Sequence, residues 1–307
     1  MEKIITAFAD AIDLTKCKVR QGPARVTVFG GKTENSDGRA LSQRGTFLLS
    51  PGELVDALVV PENFKNWNHF GIYNDLLSFE EDVCALADTI LVFLESAGAI
   101  AELAVFIKHK DIASKILVVF NAEEDNDSFI RLGLLRYLEH KFPKNVTVIT
   151  AKGPSLSRDE AKFIIEEVSS RVLAAPRNAT FVPYNTRHWL YLIVDFIDMM
   201  QVARIGDIQL FLKSVGFIKK KSRVEQLLLA LKNVGLIIES PILSERCFSL
   251  QESLNLIDLS FRPQVTSKRV SWKAKIFEKT SNDKWRNYAY RQLRQFNDEE
   301  NSVVAQG

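Results

Sequence analysis

The sequence predicts an α/β protein in which a parallel sheet lies between layers of helices, followed by a smaller, mainly helical domain. Short apolar runs rich in β-branched residues alternate with helix-like segments through the first half of the chain. This alternation is typical of a parallel sheet whose strands are buried on both faces. After a linker at residues 174–183 the helical segments follow one another directly, which indicates a second domain.

The predicted strands lie at residues 25–29, 89–94, 115–120 and 145–150, with a further strand near 45–49. The predicted helices lie at residues 1–14, 52–57, 74–87, 99–107, 128–138 and 157–173. Because parallel strands point the same way, their carboxyl ends share one edge of the sheet. Ligands bind at that edge in open α/β folds.

The turn after strand 89–94 is the strongest candidate for a functional site. Glu95, Ser96 and Gly98 lie in this turn, and the helix that follows contains Glu102. We expect Ser96 to cap the helix and Gly98 to let a ligand come close. Glu95 and Glu102 would then bring two carboxylates to one crevice.

Residues at other strand and helix ends complete the candidate site. Gly30 and Gly31 follow the first strand. Because they have no side chain, the backbone N–H groups there can face a phosphate or ribose, although a plain turn fits equally well. Asp75 begins a helix, where its carboxylate either serves the site or only complements the helix dipole. Asn121 ends another strand and Ser128 caps the next helix, and both are predicted substrate-binding residues.

Composition excludes several classes of protein. The 307 residues carry a net charge of +2, with 25% charged and 46% hydrophobic residues, as in soluble proteins with a full core. Three separated cysteines and four scattered histidines predict neither a disulfide framework nor a metal site. Two glutamates and a turn exclude a membrane span at residues 89–107. Because the start has no signal-peptide pattern, we expect a cytoplasmic protein.

Charge and periodicity divide the chain. Lys and Arg number 20 against 25 Asp and Glu up to Pro176, and 20 against 13 from Arg177 onward, which indicates two modules with different partners. Predicted helices at 187–200, 204–213 and 222–233, followed by a hairpin around Pro241, describe a winged helix-turn-helix. We therefore predict an α/β domain at 1–178, a winged-helix domain at 179–256 and a basic C-terminal arm at 257–307.

The basic residues of the second half predict nucleic-acid binding. Lys219, Lys220, Lys221 and Arg223 lie at the start of the third helix, where a recognition helix meets phosphates. The alternative is a solvated basic turn on a helical oligomerisation domain. The C-terminal arm interleaves basic and aromatic residues, which suits single-stranded or folded nucleic acid. An arm packed on the body or on another subunit is the alternative.

A carboxylate at the edge of a sheet suits cleavage of an N-glycosidic bond, because it captures or stabilises the oxocarbenium-like sugar. Glu102 is the candidate nucleophile. Glu95 or Asp75 would hold ribose hydroxyls or assist proton transfer. A lone glutamate on a helix is more often structural, so the assignment needs independent support.

That support is a resemblance of residues 93–106 to the strand-turn-helix motif of the nucleoside deoxyribosyltransferase-like superfamily. The residues that match the motif are Glu95, Ser96, Gly98, Ala101, Glu102, Leu103 and Phe106. Ala99 stands where a hydroxyl is common, and Ala104 where glycine is common. Residues 28–31 and 128–133 resemble the family as well. The resemblance implies a Rossmann-like fold and a glutamate, here Glu102, that acts on C1′ of a nucleoside or nucleotide.

The order of the two domains resembles that of toxin effectors of bacterial retron anti-phage systems. This resemblance implies a reverse transcriptase, RNA-linked single-stranded DNA and its non-coding RNA as partners, which hold the toxin inactive until phage infection. Release would then cause abortive infection. Since related effectors deplete NAD+, the hypothesis is that NAD+ is hydrolysed to nicotinamide and ADP-ribose, with no cofactor and no metal. A homo-oligomer or a higher-order assembly is left open.

Two other functions fit the same residues. The first is a nucleoside or nucleotide (deoxy)ribosyltransferase, which differs from a glycosidase in producing a new nucleoside when a second base is present. The second is a non-catalytic nucleotide sensor that drives a DNA-binding regulator. It needs only the glycine turns and the basic module.

Overall fold

The computed structural model describes residues 1–34, 38–67, 71–122, 128–151, 153, 155–217 and 220–293. The chain forms two compact units. The α/β unit is Pro23–Pro176, and the C-terminal unit combines Met1–Gly22 with the chain from Arg177 onward.

The strands in chain order are β1 (Lys18–Arg20), β2 (Val26–Phe29), β3 (Leu58–Val59), β4 (Thr89–Phe93), β5 (Ile116–Asn121), β6 (Val146–Ile149), β7 (Asn178–Thr180), β8 (Ala203–Arg204), β9 (Ile238–Ile242), β10 (Glu245–Ser249) and β11 (Ile257–Asp258). The α-helices are α1 (Glu2–Ala11), α2 (Gln43–Leu49), α3 (Leu76–Leu86), α4 (Ala97–Phe106), α5 (Lys110–Ala113), α6 (Arg136–Lys141), α7 (Arg158–Ala174), α8 (Thr186–Met200), α9 (Ile205–Ser214), α10 (Lys221–Asn233) and α11 (Arg269–Ser281). Residues 284–293 are helical as well.

The α/β unit is built on a five-stranded parallel sheet in the order β3-β2-β4-β5-β6. All residues of the central strand β4 are buried. Ile90 and Val92 belong to one apolar cluster and Leu91 and Phe93 to another. Because successive side chains of a strand point to opposite faces, the sheet has a core on each side. The predicted α/β class with a parallel sheet is confirmed.

One predicted strand is wrong. Residues 45–49 belong to helix α2, because the Ser42 side chain caps that helix by accepting a hydrogen bond from the Gly45 N–H at 2.9 Å. The edge strand of the sheet is instead the two-residue β3, which follows a 3-10 helix at Gly52–Ala57. A short apolar run does not distinguish a strand from a buried helix by periodicity alone.

The buried face of α3 includes acidic residues. Leu76 and Leu77 are 39% and 38% exposed, whereas Glu80 and Asp82 are each only 3% exposed. Tyr73, itself fully buried, donates a hydrogen bond from its hydroxyl to Asp82 at 2.7 Å. The helix therefore turns an acidic edge into the protein, which burial normally disfavours unless the charges have partners or a function.

The C-terminal unit is organised around α8, in which residues 188–200 are all buried. Helices α9 and α10 follow, and β8, β10 and β9 form an antiparallel sheet in that order. The turn of the β9–β10 hairpin is Leu243-Ser244, whose φ angles are positive, at 49° and 66°. Pro241, expected at the turn, lies within the edge strand β9, where a missing N–H is tolerated.

The first 22 residues pack with the C-terminal unit, whereas the sequence predicted them as part of the α/β domain. Strand β1 pairs with β7 and β11. The Phe8 ring of α1 lies 5.8 Å from the Phe211 ring and 5.5 Å from the Trp272 ring. Strand pairing and aromatic contacts therefore both hold residues 1–22 in the C-terminal unit.

The basic residues after 257 make many contacts within the C-terminal unit. Arg269 forms ion pairs with Asp195 and Asp198, and Lys273 lies 2.9 Å from Asp198. Arg286, only 3% exposed, binds Asp207 at 2.8 Å. These charges neutralise buried acids, so the described part of the segment, up to residue 293, is packed on the body of its own unit, as the alternative interpretation proposed.

Among the residues that the structure describes, no helix is long and apolar enough to cross a membrane. The same ranges contain no cluster of three or more His, Cys, Asp or Glu side chains arranged to hold a metal ion.

Candidate active site

The loops after β2 and β4 are tied together at the carboxyl edge of the sheet. The Ser96 hydroxyl accepts a hydrogen bond from the Ala99 N–H at 3.1 Å and thereby caps α4. It also donates to the Gly30 carbonyl at 3.2 Å. The predicted capping role of Ser96 is confirmed, and one hydroxyl both starts the helix and joins two neighbouring loops.

Glu95 fixes the loop that leads into α2. Its Oε1 accepts hydrogen bonds from the N–H groups of Gly31 and Arg44, each at 3.0 Å, and its Oε2 accepts one from the Gln43 N–H at 2.6 Å. Both oxygens are therefore engaged by the backbone, at the N-terminal end of a helix where a carboxylate is favoured. The structure gives Glu95 a positioning role, and its part in holding ribose hydroxyls or in proton transfer stays a prediction.

Gly30 and Gly31 are required by close packing. A Cβ atom on Gly30 would lie 2.9 Å from the Cβ of Arg44 and 3.0 Å from the Cβ of Phe93. A Cβ atom on Gly31 would lie 2.9 Å from the Cβ of Ser42. Their small size lets the loops meet, which accounts for both glycines without a ligand.

Gly98 differs, because a Cβ atom there would meet only the Ser96 Oγ, at 3.9 Å. Gly98 is exposed and lies in the first turn of α4. Glu102 lies four residues later on the same face of the helix. Since helical side chains lean toward the N-terminus of the helix, the Glu102 side chain leans toward the open space beside Gly98.

Glu102 is half-buried, and the structure gives its carboxylate no hydrogen bond or ion pair with any other described residue. Burial raises the pKa of Glu102 to about 7, and the negative charge of Glu62 adds to this effect. The positive charge of Arg44 acts in the opposite direction. A carboxylate without a structural partner and with a perturbed pKa is what a functional role would require.

Arg44 supplies the positive charge of the site. It is 4% exposed, and its Nε donates to the Gly31 carbonyl at 2.8 Å. Its Nη1 lies 2.5 Å from Glu62 Oε1. The Arg44 side chain is therefore fixed, with its guanidinium bound to the loop that carries the two glycines.

Glu80 is the second titratable group of the site and is only 3% exposed. Burial is the main cause that raises its pKa to about 8, and the negative charges of Glu102 and Glu62 raise it further. At neutral pH Glu80 therefore holds its proton while a large share of Glu102 is ionised. Two carboxyl groups with separated pKa values can serve as an acid and as a nucleophile or base.

Three predicted site residues have structural tasks in other places. Asp75 caps α3, where it accepts a hydrogen bond from the Ser78 N–H at 2.7 Å. The side-chain amide of Asn121 donates to the Ala151 carbonyl at 2.7 Å, which joins the ends of β5 and β6. Ser128 Oγ accepts from the Arg131 N–H at 3.3 Å. The contact of Asp75 fits the interpretation in which its carboxylate stabilises the N-terminal end of α3. Ligand contacts of Asn121 and Ser128 stay predictions.

The predicted nucleic-acid-binding residues lie at the start of α10. Lys220 is the N-cap residue and Lys221 the first helical residue. Arg223 binds Gln226 at 3.2 Å through its Nη1. Lys219 lies outside the described residues.

Sequence reasoning missed Glu80, Arg44 and Glu62. Glu80 had a usable signal, because it lies three residues before Val83 and so on the same helix face as a buried apolar residue. Arg44 and Glu62 had none, since each lies in a polar segment whose path the sequence does not define.

Comparison with known proteins identifies the family. A family model described as STM3845 retron effector protein matches residues 42–239, more than half of the chain. The match includes Arg44, Glu80, Glu95 and Glu102 and extends through α8, α9 and α10. A comparison with curated proteins gave no match. The chain therefore belongs to the STM3845 retron effector protein family.

Proposed function

We propose that this retron effector is a toxin that cleaves the N-glycosidic bond of a nucleotide, with Glu102 as the nucleophile. NAD+ is the proposed substrate, and nicotinamide and ADP-ribose are the products. The family supports a role in retron-mediated defence. In this proposal a reverse transcriptase and RNA-linked DNA hold the toxin inactive, and phage infection releases it.

The observation that carries the proposal is the pair of carboxyl groups at Glu102 and Glu80. The pKa values of about 7 and about 8 arise mainly from burial at the carboxyl edge of the sheet; the negative charge of Glu62 adds to both, and that of Glu102 adds to the pKa of Glu80. Burying two acids lowers the stability of the fold, and Glu102 makes no hydrogen bond or ion pair with another described residue that would offset this cost. Catalysis offers a physical reason for that arrangement.

The proposed reaction balances with the residues at hand. The ionised Glu102 carboxylate attacks C1′, and the C1′–N bond breaks with its electron pair moving to the ring nitrogen of nicotinamide. The positively charged pyridinium thereby leaves as a neutral base and needs no proton. Water then hydrolyses the glycosyl ester, which releases ADP-ribose and a proton and restores Glu102.

The test is mass spectrometry of nucleotides from cells that express the chain without its partners. We expect loss of NAD+ and gain of nicotinamide and ADP-ribose, and neither change with Glu102→Gln. Glu166→Gln, an exposed acid on α7, is the matched control and should behave as wild type. Equal NAD+ loss with the Glu102 variant would refute the assignment.

Glu80 favours a second candidate, a nucleoside or nucleotide (deoxy)ribosyltransferase. A nucleobase, unlike nicotinamide, leaves C1′ more readily when an acid protonates it, and Glu80 holds a proton at neutral pH. Incubation of the purified chain with a deoxynucleoside and a second free base distinguishes the two. A new nucleoside indicates transfer, whereas release of free base alone indicates hydrolysis.

We further propose that the C-terminal unit is a winged-helix domain that binds nucleic acid. The order α8, β8, α9, α10 and the β9–β10 hairpin supports it. Lys220 and Lys221 at the start of α10 supply charge for phosphates. Binding of the full chain to DNA should weaken steeply with salt, and salt-independent binding would count against this role.

A further inference from the structure

Helix α10 has little free surface for reading a DNA duplex. Its inward face contains Val224, Leu227 and Leu231, all buried. On the opposite face, where base contacts would be made, Glu225 is acidic and Leu229 is only 4% exposed. A helix that reads bases lies along the major groove and needs exposed polar side chains there. The exposed basic residues of α10 lie in its first turn and at Lys232 in its last turn, where Lys232 pairs with Glu239 at 2.8 Å.

A groove opens beside that first turn. One cavity of about 800 Å³ is lined by Lys213, Lys220, Lys221 and Phe217, among others. A second cavity of about 400 Å³ shares Gly216 and Phe217 with the first and includes Tyr184 and Arg223. The two form one continuous surface within the C-terminal unit, which we call the basic groove.

The charge of the basic groove suits a polyanion. It contains the side chains of Lys213, Lys220, Lys221 and Arg223, and none of the described residues that line it is acidic. The N-terminal end of α10, a helix of 13 residues, adds a partial positive charge at the same place.

The groove also offers an aromatic surface. Tyr184 is 83% exposed, an unusual state for a large ring. Phe217 is half-buried, and the centre of its ring lies 4.7 Å from that of Trp189, so packing against Trp189 holds it in place. Exposed rings next to cations are characteristic of proteins that bind single-stranded nucleic acid, where bases stack on rings and phosphates meet lysines.

We propose that the basic groove binds unpaired nucleotides of single-stranded DNA, with a base stacked on Tyr184 and phosphates on Lys213, Lys220 and Lys221. This inference rests on the proposed nucleic-acid role of the C-terminal unit and specifies its ligand. In a duplex the bases are stacked on each other and are not available to Tyr184. The groove therefore selects unpaired strands, independently of the chemistry at Glu102.

The experiment measures fluorescence anisotropy of the full chain with a labelled 15-nucleotide DNA strand and with the blunt duplex of the same sequence. We expect tighter binding of the single strand. Tyr184→Ala should weaken single-strand binding about tenfold, and Tyr184→Phe should retain it, since stacking needs only the ring. Tyr288→Ala, at an exposed tyrosine outside the groove, is the matched control and should change nothing.

A salt titration tests the phosphate contacts. The double variant Lys220→Ala/Lys221→Ala should reduce the slope of log affinity against log salt by about 1.4, which corresponds to two single-strand phosphate contacts. Lys279→Ala, at an exposed lysine of α11, should leave the slope unchanged. Thermal unfolding of each variant shows that the fold is intact.

The outcomes separate this inference from the proposed function. Equal affinity for duplex and single strand, with no effect of Tyr184→Ala, overturns the inference and leaves nucleic-acid binding standing. Absence of binding to either DNA overturns both. Single-strand preference that depends on Tyr184 supports both, whatever the activity of the Glu102 variant.

Discussion

The negative charge of Glu102 raises the pKa of Glu80, and this relationship links α4 to α3 across the carboxyl edge of the sheet. Glu80 does not act on Glu102 in the same way, because it still holds its proton when Glu102 ionises. The two groups therefore lose protons in sequence, first Glu102 at a pKa of about 7 and then Glu80 at about 8.

This sequence of ionisation predicts the pH dependence of NAD+ cleavage. The reaction needs ionised Glu102 and no proton donor, so kcat/KM should rise through pH 7 and then level off. A nucleoside substrate would also need the proton of Glu80, which predicts a bell-shaped profile that falls above about pH 8. Initial rates from pH 5.5 to 9 measure both. A profile flat across that range would contradict a role for either carboxyl.

The raised pKa of Glu80 also predicts a pH-dependent stability. The folded state holds the Glu80 proton up to about pH 8, whereas the unfolded chain releases it near 4.5, so the stability of the fold falls as pH rises between these values. Glu80→Gln removes the ionisable group. It should raise the free energy of unfolding at pH 9 by about 5 kcal/mol and change it little at pH 4.

Urea unfolding of wild type and Glu80→Gln at the two pH values checks this prediction. Glu166→Gln on the exposed face of α7 provides the control and should show no pH-dependent gain. A Glu80→Gln variant that is equally destabilised at both values would mean that the carboxyl group is a structural hydrogen-bonding partner.

The two loop glycines and Gly98 should respond differently to alanine. Gly31→Ala places a methyl group 2.9 Å from the Cβ of Ser42 and should cost about 1–3 kcal/mol of stability. Gly98→Ala meets open space and should leave stability equal or slightly higher, because alanine favours helix. The added methyl group of Gly98→Ala enters the space beside Glu102, so we expect lower activity with an unchanged melting temperature.

Thermal unfolding and NAD+ turnover are measured for both variants. A Gly31→Ala variant as stable as wild type would show that the loop moves to accept the methyl group.

Arg269 should be essential for folding of the C-terminal unit. Its guanidinium pairs with Asp195, which is 2% exposed, so Arg269→Ala leaves a buried charge without its partner and should cost about 3–5 kcal/mol. Burial raises the pKa of Asp195, so protonation at acidic pH should reduce the loss. Lys279→Ala on the same helix is the control. Equal stability of the two variants at pH 7 would show that water reaches Asp195.

The sequence predicted the fold where the pattern was long and repeated. Strands β4 and β5 are continuous apolar runs, and β4 with its following turn and helix carried the motif that contains Glu102. Residues 45–49 of helix α2 were predicted as a strand because a short segment that ends in three apolar residues fits both structures, and only the cap at Ser42 decides between them. The assignment of residues 1–22 failed because it depends on contacts more than 150 residues away in the chain, such as Phe8 with Phe211.

The candidate site was predictable only in part. Glu102 was identified from a motif, whereas the positioning role of Glu95, shown by its three backbone hydrogen bonds, was not predicted. Side-chain orientation decides such a role, and spacing along the chain does not define it. Glu80 escaped notice because an acid on an amphipathic helix is normally expected on the solvent side.

The most direct test of Glu102 as the nucleophile is NAD+ turnover by the purified chain and by Glu102→Gln under the same conditions. We expect nicotinamide release to fall by at least about a thousandfold in the variant, while its melting temperature and its affinity for single-stranded DNA stay unchanged. Nicotinamide release at the wild-type rate by a correctly folded Glu102→Gln variant would contradict this role.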